Sequence, residues 1–208
     1  MRTAFIMLLD RSGSMSSIKS DIVSGLNSLI KEQKSLDEKS TDIFFMAQFD
    51  HEYSVLREWT SIASLNEFSE DSFIPRGFTA LYDSMGKTID ECGNYFASLP
   101  ATERPDKVLF VTLTDGFENA SKTFKKSDIA AKIKHQTDVY KWDFSFIGAN
   151  FDVFAEGNDL NISKLNTYSY DTSSKESIAK MTASLSLGVS AYRSTDVRSI
   201  FTTDVQAK

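Results

Sequence analysis

Three short stretches of this chain concentrate oxygen ligands. The first reads Asp10, Arg11, Ser12, Gly13, Ser14 and holds one carboxylate and two hydroxyls in a tight turn. The second, Thr114, Asp115, Gly116, adds another carboxylate, and the third, Arg76, Gly77, Phe78, Thr79, adds a third hydroxyl. Asp10, Ser12, Ser14, Thr79 and Asp115 are all hard oxygen donors, with no thiolate or imidazole among them. Such a set suits one divalent ion, magnesium with manganese or calcium as substitutes, and does not suit zinc. Two carboxylates just neutralise the ion, so it keeps affinity for one more anionic oxygen, which an incoming Asp or Glu could supply. Magnesium prefers six ligands and retains several waters, so exchangeable positions would stay open. Each piece also has a plain structural use: Asp-x-Ser-x-Ser can cap a helix, and Asp-Gly after a strand is a common turn. What favours the metal is that the pieces occur together, in order, each at a strand end or a helix start.

The elements that must position these residues follow from the apolar pattern. Short apolar runs alternate with longer segments of helical period, which implies strand-helix-strand units and a mostly parallel sheet. Ala4 to Leu9 is a continuously apolar strand, as expected when both faces are covered. A helix follows with Ile18, Ile22, Leu26, Leu29, Ile30 and Leu36 on one face. Ile43 to Phe49 and Tyr53 to Trp59 are joined by so few residues that they must form an antiparallel hairpin at a sheet edge. A second long helix is expected from about Thr79 to Ser98, with Leu81, Met85, Ile89, Cys92 and Phe96 inward. Val108 to Leu113 is the next strand. Ser127 or Asp128 caps a helix reaching about Tyr140, and Phe144 to Ala149 is a further strand. A short helix after Asp152, a strand near Leu165 to Tyr170 and a last helix complete the series. Ser173 and Glu176 form a capping box for that last helix, whose inward face is Ile178, Met181, Leu185, Val189 and Tyr192. The ligand crevice of an open α/β sheet lies outside the carboxyl ends of its strands, where the strand order reverses. The Asp10 and Asp115 loops both fall on that edge.

On these residues the chain resembles the von Willebrand factor type A domain, whose metal-ion-dependent adhesion site is written Asp-x-Ser-x-Ser, a distant Thr and a distant Asp. Asp10, Ser12 and Ser14 stand at the first motif, Thr79 in "GFTALYDSM" at the second and Asp115 in "VTLTDG" at the third. The likeness covers roughly residues 3 to 195, the hairpin edge strand included, and resembles small stand-alone bacterial and phage members. It implies a doubly wound, Rossmann-like three-layer α/β sandwich around a six-stranded sheet in the order 3-2-1-4-5-6, mostly parallel with an antiparallel edge strand. It also implies that the three hydroxyls coordinate the metal directly, that the two carboxylates act directly or through water, and that a partner's carboxylate completes the shell. The function implied is metal-dependent protein recognition, in a setting where such domains work beside ATPases, kinases or other protein machinery.

Around the cluster, Arg11 and Phe78 sit within the metal loops without being ligands, and Glu118 and Asn119 follow Asp115. All four are expected at a partner-binding rim, although Phe78 could equally tuck into the core and Glu118 and Asn119 could be plain loop. The competing class is a metal-dependent hydrolase or phosphoryl-transfer enzyme using the same site. It would need a base beyond the ligands, and of the two histidines only His51, after Asp50, lies on the right sheet edge; the ordinary reading of Asp50 and His51 is a hairpin turn. There is no Gly-x-x-x-x-Gly-Lys loop and no Asp-x-Asp nucleophile motif. A Rossmann-type nucleotide binder would want a glycine-rich first turn, whereas this turn opens on a carboxylate that repels pyrophosphate. The expectation is therefore a binding module and not an enzyme.

Composition agrees. The 208 residues, 41% hydrophobic and 25% charged, are those of an ordinary globular protein, expected as one domain with a core over about 3 to 195 and a C-terminal tail over 196 to 208. The net charge of -6 argues against nucleic acid, and the Lys122, Lys125, Lys126 group reads as a solvated loop and helix start. Cys92 is the only cysteine, at helical spacing from Ile89, Tyr95 and Phe96, so it reads as core and fits a reducing compartment. Met1 to Leu9 lacks the features of a secretory signal, and no run reaches the roughly 18 to 20 apolar residues that span a bilayer. The expected location is cytoplasmic, without a membrane anchor.

Overall fold

The computed structural model describes residues 1–36 and 41–201. Strands β1 (Thr3–Asp10), β2 (Ile43–Phe49), β3 (Tyr53–Ser61), β4 (Lys107–Leu113), β5 (Asp143–Gly148) and β6 (Thr167–Ser169) form one sheet in the order β3-β2-β1-β4-β5-β6. Only the β2–β3 hairpin pairs antiparallel; the other four pairings are parallel. Helices α1 (Lys19–Leu36), α2 (Leu81–Ser98), α3 (Lys126–Tyr140), α4 (Val153–Asp159) and α5 (Lys175–Ser194) cover both faces.

Strand alternation explains the three layers. Phe5, Met7 and Leu9 of β1 join the core shared with α1 and α5, while Ala4, Ile6 and Leu8 join the core shared with α2 and α3. A strand apolar at every position is one with a hydrophobic layer on each side, and all eight β1 residues are buried. Because β1 pairs with β2 on one side and β4 on the other, the chain reverses direction across the sheet at β1. Leu9 lies opposite Leu113 and Asp10 opposite Phe49, so the residues leaving β1, β2 and β4 emerge side by side.

The inward face expected for α2 is buried throughout, as is that of α5. Five local expectations shift. α3 begins at Lys126 behind an N-cap at Lys125, so Ser127 and Asp128 lie inside its first turn, where Asp128 Oδ2 accepts Lys125 N at 2.8 Å. Leu36 is exposed, and Gln33 holds the last inward position of α1, donating to Ser186 O at 3.1 Å and Ser190 Oγ at 2.9 Å. At that level α5 presents serines, so an amide fits where leucine periodicity ends. α2 starts at Leu81, leaving Thr79 on the preceding loop. The α5 cap is Ser174, accepting from Ser177 N, while Ser173 bonds Asp171 instead. β6 is only three residues long because Lys164–Asn166 forms a 3-10 turn.

Beyond α5 the chain returns to the core at Ile200 and Phe201, with Phe201 N donating to Leu165 O at 3.0 Å and its ring 4.9 Å from that of Tyr168. Of the tail expected over 196 to 208, residues 202–208 lie outside the described residues. The return requires Gly188, since a Cβ there would stand 2.1 Å from Ile200 O. Gly188→Ala is therefore expected to lower stability by about 1–3 kcal/mol through overpacking and to expose the segment after Thr195 to protease. A melting curve and a limited digest check both effects; unchanged results would show that the segment docks loosely.

Candidate metal centre

Asp10 ends β1 fully buried, and both its carboxylate oxygens are used. Oδ1 accepts Ser12 N at 2.6 Å, an Asx-type bond that folds the turn, and Oδ2 accepts Thr114 Oγ1 at 2.5 Å. Ser12 is extended, and the chain then enters a 3-10 turn over Gly13–Ile18, which sets the two serine hydroxyls 3.1 Å apart. Ser14 Oγ donates to Asp115 Oδ1 at 2.5 Å. A Cβ built on Gly116 would be 3.6 Å from both Ser14 Oγ and Thr79 Oγ1, so these hydroxyls face the same point beside the Asp115 loop. The Thr79 loop is clamped from outside: Thr79 N donates to Asn119 Oδ1 at 2.8 Å, and Thr79 O accepts Asn119 N at 3.0 Å. All five residues expected as ligands therefore meet at the carboxyl edge of β1 and β4.

The electrostatics are those of a site short of positive charge. Burial lifts the Asp10 carboxyl from 3.8 to about 6; the bonds from Thr114 and Ser12 oppose this, and the charge of Asp115 adds to it. Burial likewise raises Asp115, against the bond from Ser14. Among the described residues neither carboxylate has a Lys, Arg or His ion-pair partner, although both are buried. Tyr170 closes the underside, its hydroxyl 3.5 Å from Thr114 O, and burial with Asp115 and Asp10 nearby pushes its pKa far above the ordinary tyrosine value. Two buried, unneutralised carboxylates with three hydroxyls gathered beside them, the two serine hydroxyls bonded to each other, fit a hard divalent cation by charge and by donor type.

The rim residues divide. Phe78 is 67% exposed and Phe117, after Gly116, 63% exposed, so two of these loops each lift a phenyl ring into solvent. Arg11 is turned inward, with 11% of its side chain exposed and Nε 3.0 Å from Asp50 Oδ2. Glu118 accepts Ala120 N, Ser121 N, Ser121 Oγ and Tyr82 N, and Asn119 binds the Thr79 backbone as described. Both hold the loop onto the start of α2. Sequence reasoning missed Thr114, which orients Asp10, and Asn150, whose Nδ2 donates to Asp115 O at 2.8 Å from a left-handed backbone at φ 69°. Their signal was position alone: each directly follows, or stands two residues after, a buried parallel strand on the same edge.

A second polar group sits nearby. Asp50, His51 and Glu52 offer ligand atoms within 4.8 Å of one another and could hold a metal ion. Arg76 already spans it, with Nε 2.9 Å from Asp50 Oδ2 and NH2 bonded to Glu52, and Arg11 adds a second guanidinium. His51 Nδ1 lies 3.3 Å from Asp50 Oδ1. The Asp50 carboxylate that would orient a catalytic imidazole is thus committed to two arginines.

No protein-family model matches the sequence, and no curated protein matches it. Solved structures do match. The PilB minor pilin from Streptococcus sanguinis aligns with a TM-score of 0.64 at 11% identity, covering 91% of this chain and 61% of the pilin. The vWF domain of the type V pili tip protein Mfa5 from Porphyromonas gingivalis gives 0.60 at 9% identity over 90% of this chain and 96% of that one. A von Willebrand factor type A structure from Catenulispora acidiphila gives 0.57 at 16% identity over 90% and 43%. The chain thus spans about three fifths of the pilin. At these identities the likeness concerns the fold, and the fold is that of von Willebrand factor type A domains.

Proposed function

We propose that this protein is a recognition module that binds an acidic side chain of a partner protein through a divalent cation, magnesium in the first instance, held by Asp10, Ser12, Ser14, Thr79 and Asp115. The observation that carries the reading is the pair of buried carboxylates without a basic partner, converging with three hydroxyls at the switch point of the sheet. When bound, the ion would supply the missing positive charge and Lewis acidity toward one further carboxylate. The protein's part is to hold the hydroxyls: Asp10 fixes Ser12 through its amide, Asp115 fixes Ser14, and Asn119 fixes the Thr79 loop. Phe78 and Phe117 would contact apolar residues beside the partner's acid.

The solved neighbours support an interaction role, since they include a minor pilin and a pilus tip protein. Compartment follows less directly. Among the described residues no helix is long and apolar enough to cross a membrane. A cytoplasmic setting is the reading of the sequence, and work beside ATPase or kinase systems is what the resemblance implies, whereas the solved neighbours include pilus proteins; the same chemistry serves in both.

Capture on the immobilised protein tests the reading. With Mg2+ present a specific protein should be retained and released by EDTA, and Phe78→Ser with Phe117→Ser should weaken retention about tenfold or more while leaving Mn2+ affinity unchanged. Retention indifferent to EDTA would overturn metal dependence.

A further inference from the structure

Asp50 is fully buried at the end of β2, beside the end of β1, and its contacts reach both hydroxyl-bearing loops. Its Oδ2 faces Arg11 Nε at 3.0 Å and accepts Arg76 Nε at 2.9 Å. Its Oδ1 accepts Glu52 N at 2.6 Å, and its carbonyl accepts Ala80 N at 2.9 Å. Arg11 stands between Asp10 and Ser12, and Arg76 stands three residues before Thr79. The two loops also bond directly, Arg76 N to Arg11 O at 2.8 Å and Gly13 N to Gly77 O at 3.3 Å. Gly77 has φ +66°, and a Cβ there would stand 2.1 Å from His51 Nδ1, so His51 closes over the junction.

We infer that Asp50, with Arg11 and Arg76, is a positioning element that locks the Asp10-to-Ser14 turn to the Thr79 loop and thereby sets the spacing of the three hydroxyls; the inference rests on the metal reading above. Neutral hydroxyls bind a hard cation weakly unless their geometry is preset, and Thr79 lies on a loop, outside the rigid part of α2. Asp50 Oδ2 accepts a hydrogen bond from Arg76 Nε and lies at ion-pair distance from Arg11, so one buried carboxylate ties the two loops through two cations, the Arg76 contact being directional.

Charge and geometry predict opposite signs here, which makes the inference sharp. Removing a cation beside a cation site would tighten metal binding if charge alone mattered. Loosening the lock would weaken it. Arg76 is half exposed, so Arg76→Gln is expected to fold, and Arg76→Lys keeps the charge but cannot span both Asp50 and Glu52.

The experiment compares Mn2+ titration calorimetry and EDTA-state amide hydrogen exchange for the full chain and both variants. Expected are an affinity about tenfold lower in each variant and faster exchange at Gly13, Arg76 and Ala80. Unchanged or tighter Mn2+ binding in the variants overturns the inference, whatever the exchange rates, and so does unchanged exchange at those amides. If the unmodified protein binds no Mn2+, the metal reading fails by itself, and the exchange comparison still decides whether Asp50 locks the loops. Should Arg76→Gln not fold, Arg76→Lys carries the comparison.

Discussion

Asp115→Ala is expected to abolish divalent metal binding while leaving the metal-free protein as stable as before or slightly more so. Asp115 is buried and lifted by that burial, and in the metal-free state it makes one side-chain bond, from Ser14. Its removal therefore relieves a buried charge and costs a single hydrogen bond, of the order of 1 kcal/mol. With the ion present the balance inverts. A ligand at 100 times its Kd stabilises the folded state by about 2.7 kcal/mol. For a chain of this size that is a rise of roughly 5–10 °C in Tm. The unmodified protein should show that rise in Mn2+ over EDTA, and Asp115→Ala should show none. Asp10→Asn should behave alike for the metal, keeping an acceptor for Ser12 N. Calorimetry showing unchanged metal affinity in both variants would remove the site assignment altogether.

The second large effect is on pH. Asp10 has a folded-state pKa near 6 against 3.8 in the unfolded chain. Below 3.8 both states hold the proton and the group costs nothing. Between 3.8 and 6 the unfolded chain gives up this proton while the folded chain still holds it, so metal-free stability falls across that window and the loss, about 3 kcal/mol, is complete once the pH is above 6. Asp115 pulls in the same direction. Denaturation in EDTA at pH 4 and pH 7.5 should show this loss in the unmodified protein, and Asp10→Asn should remove most of it. Metal binding runs the other way, because the ion competes with the proton: affinity should fall about tenfold for each pH unit below 6. If the two proteins show equal pH dependence in EDTA, the burial argument for Asp10 fails.

Much of the architecture was legible in the amino-acid order, because it depends on local pattern. The continuous apolar runs at β1, β2, β4 and β5 report layers on both faces, and the helical stripes of α2 and α5 report one face each. The Asp10 turn, Thr79 and Asp115 were legible as a set of oxygen donors for the same reason: their residue types and their places at strand ends are local facts. Element ends were less so. Leu36 continues the period of α1 yet is exposed, and the last inward position falls to Gln33, whose partners are serines of α5. Ile200 and Phe201 follow a stretch without period, and partners distant in sequence, Leu165, Asn166, Tyr168 and Gly188, give them a place.

By itself, then, the sequence determined the layered α/β class and the inventory of oxygen donors, both of which follow from side-chain type and spacing along the chain. Only the tertiary structure decided how those donors are held. Arg11 reads as a rim residue and turns inward because Asp50, some forty positions away in sequence, lies beside it. Glu118 and Asn119 read as rim and become staples because the first turn of α2 offers Glu118 the N–H of Tyr82 and the loop before it offers Asn119 the N–H of Thr79. Phe78 had two readings, and the structure leaves it in solvent. Pairing between distant loops depends on which strands become neighbours, and that is a property of the folded sheet and of no local segment.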